Sequence, residues 1–277
     1  MNETSISWTE WTDGEGNVRK GYTWNPVSGC SKVSPGCQNC YAEAWSHRWN
    51  RSFEIQMHPE KLKEVKRIPP GSKVFVNSMS DLFHENVSFT YIWGVMKAIE
   101  SRPDVIFQIL TKRPERVREY FYHMSAHPKF GNGGDHEKYL IPSNVWLGVS
   151  VEMRKFYASR VGLLLRLGML ENIHSGKFFI SFEPLLGDIG KKIKFDNGFD
   201  KIDWIIIGGE SGPHHRPMNI EWARNLVTQA KEQGVKVWMK QLGGLHPGGS
   251  IYDFPEDLRI QEFPMPVLLP MAKEESL

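Results

Sequence analysis

DWIIIGGESGPHHRPMNIEWARNLVTQAKEQGVKVWMKQ, residues 203–241, holds a strand, a turn, a helix and a second strand in that order. DWIIIG (203–208) and VKVWMK (235–240) are short, nearly continuous runs of Ile, Val, Trp and Met, as in parallel strands buried on both faces. Between them Asn219 predicts a helix N-cap, Ala223, Leu226, Val227 and Ala230 fall on one face at helical spacing, and Gly234 supplies the stop. The alternation repeats upstream. KVFVN (73–77), VIFQIL (105–110), VWLGVSV (145–151) and KFFISF (177–182) read as strands, and residues 88–101, 113–124 and 152–168 read as helices. YAEAWSHRWNRSF (41–53) is a further helix, and the short TWN segment (23–25) a front strand. This order implies a single α/β domain, a partial or full (β/α) barrel of about 6–7 parallel strands with right-handed crossovers.

The organisation predicted around that core is an N-terminal extension over 1–20, a barrel domain over 21–245 and a C-terminal tail over 246–277 that packs on the barrel. Residues 126–144 read as a loop insertion. With 40% hydrophobic and 24% charged residues in 277, the chain is not a disordered one. No run approaches the roughly 18–20 apolar residues of a spanning helix, so no membrane is expected. The start shows no cationic stretch followed by an apolar one, so no secretory signal is visible and a cytoplasmic location is expected. A net charge of +2 neither demands nucleic acid nor excludes a local basic groove. Trp is abundant, 10 in all, with Trp8, Trp11, Trp24, Trp45 and Trp49 in the first fifty residues. These serve either core packing or a stacking surface for a planar ligand or base.

All three cysteines, Cys30, Cys37 and Cys40, fall within one short segment, GCSKVSPGCQNCYAE (29–43). An odd, crowded set does not make a disulfide framework and points to metal ligation, with buried free thiols or a Cys37–Cys40 redox pair as the other readings. A closed zinc site needs a fourth ligand, for which His47, His58 or His84 is available. A [4Fe–4S] cluster on three thiolates instead leaves one iron open to a small molecule.

In βα folds ligands bind at the carboxyl ends of the strands, and here those ends are polar. KVFVN runs into Ser78, Ser80 and Asp81; VIFQIL into Lys112 and Arg113; VWLGVSV holds Ser150 and precedes Glu152; KFFISF ends at Glu183. DWIIIG runs into Gly209, Glu210 and Gly212, and VKVWMK ends at Lys240. The glycines, Gly208 included, permit close backbone approach of a ligand. Lys112, Arg113, Arg116, Arg118 and Arg216 form a cationic rim suited to phosphate, or in part a solvated helix face.

A three-cysteine loop after the first strand of such a barrel resembles the radical S-adenosylmethionine superfamily. More narrowly, GCSKVSPGCQNCYAE, FVNSMSDLFH, LTKRPER, GVSVE, SFEPLLG and IIGGESGP with RPM look like phage- and prophage-borne three-Cys-motif proteins, a group of unknown function. The likeness spans roughly residues 20–245. The superfamily's usual spacing is C-x3-C-x2-C with an aromatic before the last Cys; this chain has C-x6-C-x2-C, with Asn39 there and Tyr41 following. The resemblance implies that Cys30, Cys37 and Cys40 hold a [4Fe–4S] cluster whose open iron binds S-adenosylmethionine. It places Ser78, Ser80 and Asp81 at the methionine ammonium, Ser150 and Glu152 at the ribose and carboxylate, and Gly208, Gly209 and Glu210 near the adenosyl end or the substrate. One-electron reduction would cleave the sulfonium to a 5′-deoxyadenosyl radical, the cofactor carrying that chemistry and the protein positioning it. Glu183, Glu210 and Lys240 are the catalytic candidates, and Lys112, Arg113 and Arg216 the substrate contacts. The expected substrate is a nucleic-acid base or nucleotide, the expected partner an electron donor such as flavodoxin. The alternatives are a zinc-stabilised nucleic-acid-binding or adaptor protein, and a metal-independent hydrolase using Glu183 and Glu210 as acid and base.

Overall fold

The chain folds around one eight-stranded sheet in a computed structural model that describes residues 1–12, 16–126, 141–167, 176–198, 201–246 and 248–264. The strands are β1 (Asn2–Thr4), β2 (Gly21–Trp24), β3 (Lys73–Val76), β4 (Ile106–Thr111), β5 (Val145–Ser150), β6 (Lys177–Phe182), β7 (Trp204–Gly208) and β8 (Lys236–Gln241). They lie side by side in chain order. β1 runs antiparallel to β2, and every later neighbour pairs parallel. The fold is therefore a mixed α/β single domain, and the expected strand runs shift by no more than a residue or so at their ends. Residues 1–20, read as an extension, contribute the eighth strand.

The helices are α1 (Tyr41–Arg48), α2 (Phe89–Glu100), α3 (Pro114–Ala126), α4 (Arg154–Leu165) and α5 (Ile220–Glu232). The Asn219 side chain caps α5 by accepting from Glu221 N at 3.0 Å, as its position predicts. α1 is shorter than the 41–53 pattern suggested. Asn50 adopts a left-handed φ of 50°, and Arg51 N turns back to Ser46 O at 2.9 Å, which closes the helix. Most of the 126–144 segment and the tail beyond Phe263 and Pro264 lie outside the described residues. Among the described residues no helix is long and apolar enough to cross a membrane.

Strand alternation sorts the core into two faces. Val74, Val76, Phe107, Ile109, Ile205 and Ile207 face the helices and join Ile92, Val95, Leu164 and Leu226 in the main core. The opposite face carries Phe75, Ile106, Trp146, Phe179, Trp204 and Trp238, with Trp8 among them. In a flat sheet β3 and β7, four places apart, would sit about 19 Å from each other. Yet the Trp8 ring centroid lies 4.7 Å from Phe75 on β3 and 6.1 Å from Trp204 on β7. The sheet is therefore curled into a partial barrel, and Trp8 fills its floor. The free edge of β8 is covered by the tail: Met239 N donates to Ile260 O at 2.8 Å, and Glu262 N to Val237 O at 2.8 Å.

Lys73, at the amino end of β3, is 2% exposed. Its ammonium lies over the rings of Phe263 (3.0 Å), Trp11 (4.8 Å) and Trp146 (5.5 Å). Burial pushes it down to about 6, an effect that the ring faces partly offset. Between that value and its ordinary 10.5 the unfolded chain carries a proton that the folded one lacks, so stability rises with pH across that window. Denaturant melts from pH 7 to 9.5 are expected to show a rising contribution of up to about 1.4 kcal/mol per pH unit. Lys73→Met should remove that slope. Equal slopes in the two proteins would show that the ring cage holds Lys73 charged throughout.

Candidate functional site

The cysteine segment leaves β2 and crosses the carboxyl mouth of the barrel. Gly29 bridges to Ser80 beyond β3, and Ser80 Oγ donates to Val27 O at 2.8 Å, so the segment enters fastened to the end of β3. Cys30 N donates to Phe53 O at 3.0 Å. Pro35–Cys37 forms one 3-10 turn, and α1 starts directly after Cys40. The Tyr41 hydroxyl donates to Ser78 O and reaches back to the mouth.

Three strand-end ion pairs clamp the segment from below. Arg113, 3% exposed, donates through Nη1 to Asp81 Oδ2 (3.2 Å) and Cys30 Sγ (3.6 Å), and through Nε to Glu85 Oε2 (3.0 Å). Its Nη2 donates to Ser31 O (3.0 Å) and Ser31 Oγ (2.9 Å). Glu152, fully buried, accepts from Arg160 Nη1 (2.8 Å) and from Ser34 Oγ (2.6 Å), with Lys112 Nζ 3.7 Å away. Gly36 rests on that carboxylate so closely that a Cβ there would lie 2.5 Å from Glu152 Cγ, so a side chain at residue 36 would lift the turn off. Glu210 accepts from Arg216 Nη2 (2.5 Å) and Nε (2.8 Å) and from Asn39 Nδ2 (2.9 Å), while Arg216 Nη2 also donates to Pro35 O at 2.9 Å. Burial would raise the Glu210 carboxyl, but the hydrogen bonds from Arg216 and Asn39 outweigh it and hold it below the ordinary range. Glu210 thus stays ionised near neutrality and is poorly placed to act as a general acid.

This arrangement redistributes the residues that the sequence singled out. Lys112, Arg113 and Arg216, expected to face a substrate phosphate, each face an internal carboxylate. Asp81, 5% exposed, accepts from Thr111 Oγ1 (2.8 Å), Phe83 N (3.0 Å) and Lys112 N (3.0 Å) besides Arg113. Ser78 Oγ donates to Asn25 Oδ1 at 3.2 Å. Ser150 is buried beside Glu152. Glu183 and Lys240 form a pair at 2.5 Å, each side chain about one-fifth exposed, beneath Gly208. Gly209 is required by the β8 turn, since a Cβ there would lie 2.2 Å from Leu242 O.

The residue missed by sequence reasoning is Asn77, at the mouth end of β3. It is 3% exposed, and neither its Nδ2 nor its Oδ1 has a hydrogen-bond partner. Its φ of 59° is left-handed, a conformation that Asn tolerates better than most residues. A buried carboxamide with both ends unmet is unfavourable by about 1–3 kcal/mol per group unless something binds it. The only signal in the sequence was an Asn directly after a strand.

The thiols of the segment are the donor type that an iron–sulfur cluster would use. Cys30, Cys37 and Cys40 are free thiols at intermediate exposure. Burial acts to raise the Cys37 thiol, but the Lys112 charge and hydrogen bonds from Val33 and Ser34 outweigh it and favour thiolate, the form that binds metal. Burial and Asp81 push Cys30 up to about 11 against the pull of Arg113. Two of the three histidines considered as a fourth zinc ligand have engaged ring nitrogens. His84 Nε2 bonds Ser31 Oγ (2.8 Å) while its Nδ1 accepts from Asn86 N (3.1 Å), and His58 Nε2 bonds Ser28 Oγ (2.7 Å) while its Nδ1 faces Glu60 at 3.5 Å. His47 is exposed in the last turn of α1. Among the described residues no group of three or more His, Cys, Asp and Glu side chains, the three cysteines included, is gathered so as to hold a metal ion.

A family model described as "Protein of unknown function (DUF5131)" matches residues 3–263. Comparison with curated proteins gives no match. Among solved structures the chain is similar to spore photoproduct lyase complexed with dinucleoside spore photoproduct, at 11% identity and a TM-score of 0.39 over 74% of this chain and 59% of that one. It is also similar to a cysteine-to-serine mutant of that lyase, at 10% identity and 0.42 over 76% and 61%. A third similar structure is a double mutant with bound AdoMet and dinucleoside spore photoproduct, at 10% and 0.38 over 83% and 65%. The chain thus spans about three-fifths of the length of these structures.

Proposed function

This chain belongs to the DUF5131 family, whose name carries no activity, and from its own geometry we propose that it is a radical S-adenosylmethionine-type iron–sulfur enzyme acting on a nucleic-acid base or nucleotide-like substrate. The observation that carries this reading is the conjunction at one mouth of three free thiols, clamped by buried ion pairs, and the unpartnered amide of Asn77. Cys30, Cys37 and Cys40 would hold three irons of a [4Fe–4S] cluster. Asn77 would meet the polar end of the bound S-adenosylmethionine, with Ser150, Gly208 and Gly209 along its length. Asp81, Glu152 and Glu210 are positioning residues, because each holds the loop through Arg113, Ser34 or Asn39. A cluster and S-adenosylmethionine held there would supply hydrogen-abstraction chemistry, one electron being consumed in cleaving the sulfonium to methionine and a 5′-deoxyadenosyl radical. The chain's own residues exclude water below, through the aromatic floor, and fix the loop above. The Lys240–Glu183 pair, about one-fifth exposed at the mouth, is the group best placed to move a proton there. A reducing partner such as a flavodoxin would deliver the electron.

Anaerobic reconstitution of the full chain is expected to give a brown protein with charge-transfer absorption that releases 5′-deoxyadenosine from S-adenosylmethionine under reduction. Cys37→Ala should lose the cluster, yet unfold within about 1 kcal/mol of wild type, because the Cys loop contributes nothing to either core cluster. Asn77→Gly should keep the cluster and weaken S-adenosylmethionine binding by about tenfold or more. A colourless protein with stoichiometric zinc, or a loaded protein that forms no 5′-deoxyadenosine, overturns the proposal.

A further inference from the structure

α1 continues outward from the cysteine segment and carries aromatic residues at every fourth position: Tyr41, Trp45 and, at its C-cap, Trp49. Positions four apart stack along one helix face. Here that face is open to solvent, with Tyr41 57%, Trp45 46% and Trp49 59% exposed. The two indoles lie 6.2 Å apart. Leaving two indoles in water forgoes most of what their burial would contribute, and the core elsewhere encloses Trp24, Trp146 and Trp204 completely. The charges around the ridge are cationic. The Arg51 guanidinium lies 5.3 Å from the Trp45 centroid, and among the described residues neither Arg48 nor Arg51 is paired with a carboxylate. The acidic residue of the helix, Glu43, is neutralised by Lys32 at 2.8 Å. Exposed Tyr, Trp and Arg also occur at protein interfaces, but here α1 carries no aliphatic side chain larger than alanine and the charges left unpaired beside the indoles are positive, which favours a polyanion. Flat π faces flanked by guanidinium groups suit stacked bases and their phosphates.

From this we infer that the Tyr41–Trp45–Trp49 ridge, with Arg48 and Arg51, is a binding surface for single-stranded nucleic acid that leads the strand to the mouth. The ridge takes over the polyanion contact expected of Lys112, Arg113 and Arg216, whose charges are engaged internally. The inference rests on the proposed substrate class, but its test does not depend on catalysis.

The test is fluorescence anisotropy on the full chain with a labelled oligothymidylate of about 12 nucleotides, with and without reconstituted iron and sulfide. Trp45→Ala and Trp49→Ala are each expected to raise Kd about tenfold and the double variant more, with helix α1 retained because alanine favours it. Arg51→Gln should weaken binding and flatten its dependence on salt. Tyr252→Ala removes an equally exposed aromatic (77%) elsewhere and should change nothing. Wild-type affinity in the double variant overturns the inference, as does a wild-type chain that binds no strand, an outcome that would leave the ridge to a protein partner. Strand binding that needs both indoles in a protein forming no 5′-deoxyadenosine would uphold the ridge and sink the catalytic proposal. 5′-Deoxyadenosine formation without strand binding would do the reverse.

Discussion

Arg113→Ala is expected to destabilise the fold by about 3–5 kcal/mol and, on the proposed function, to abolish retention of the iron–sulfur cluster, the largest effect of any single change at the mouth. The guanidinium is 3% exposed and serves the Asp81 and Glu85 carboxylates together with Cys30 and Ser31 of the cysteine segment. Its removal leaves Asp81, at 5% exposure, with hydroxyl and amide donors but no cation, and a buried charge that has lost its partner is among the costliest single defects. Arg113→Lys keeps the charge and loses the fork that reaches Ser31 and Cys30 together, so its loss should be intermediate. Because the two groups act as one unit, Asp81→Asn combined with Arg113→Ala should cost well under the sum of the separate losses. Denaturant midpoints for wild type and the four variants, with iron content after anaerobic reconstitution, decide the matter. A loss under about 1 kcal/mol for Arg113→Ala would mean that the Cys segment is held by Glu152 and Glu210 alone.

That clamp marks where sequence reasoning stopped. The strands were legible because parallel strands covered on both faces need unbroken Val, Ile, Phe and Trp runs, as in DWIIIG, and α5 because Asn219, its apolar face and Gly234 all act within one helix length. A polar rim at the strand ends was legible for the same local reason. Which partner each rim residue would choose was not. Arg113 lies 82 residues from Ser31, and Ser34 lies 118 from Glu152; a cation read without its carboxylate looks like a phosphate contact. Trp shows the same limit, since a lone indole is equally suited to core and surface, and both uses occur: Trp8 and Trp24 are enclosed while Trp45 and Trp49 stand in solvent. Residues 1–20 read as an extension because their polar composition hides two buried side chains, Trp8 and Thr9. Asn77 escaped because its significance lies in the bonds it fails to make.

Trp8, the larger of those two buried side chains, carries the second large effect: Trp8→Ala should destabilise the fold by about 3–5 kcal/mol, a large share of a typical domain's 5–15 kcal/mol. It sits on a short turn, Ser7–Thr9, seated against Gly21, where a Cβ would collide with Thr9 Oγ1. Its ring meets Phe75 at 4.7 Å, Trp204 at 6.1 Å and Phe179 at 6.4 Å. Among the described residues no α-helix contributes to this inner cluster, so the space that alanine would leave closes only if the strands themselves move. Trp8→Phe retains most of the ring and removes an indole N–H that has no partner, so its loss should stay below about 1.5 kcal/mol. The consequence reaches the other end of the barrel, because β3, β6 and β7, drawn together by this ring, carry Asn77, Glu183 and Gly209 just past their far ends. Trp8→Ala should therefore weaken S-adenosylmethionine binding in a protein that is still folded, whereas Trp8→Phe should not. Calorimetric titration below the unfolding temperature of each variant separates these outcomes; full affinity in folded Trp8→Ala would show that the mouth is organised by the Cys-segment clamp without help from the floor.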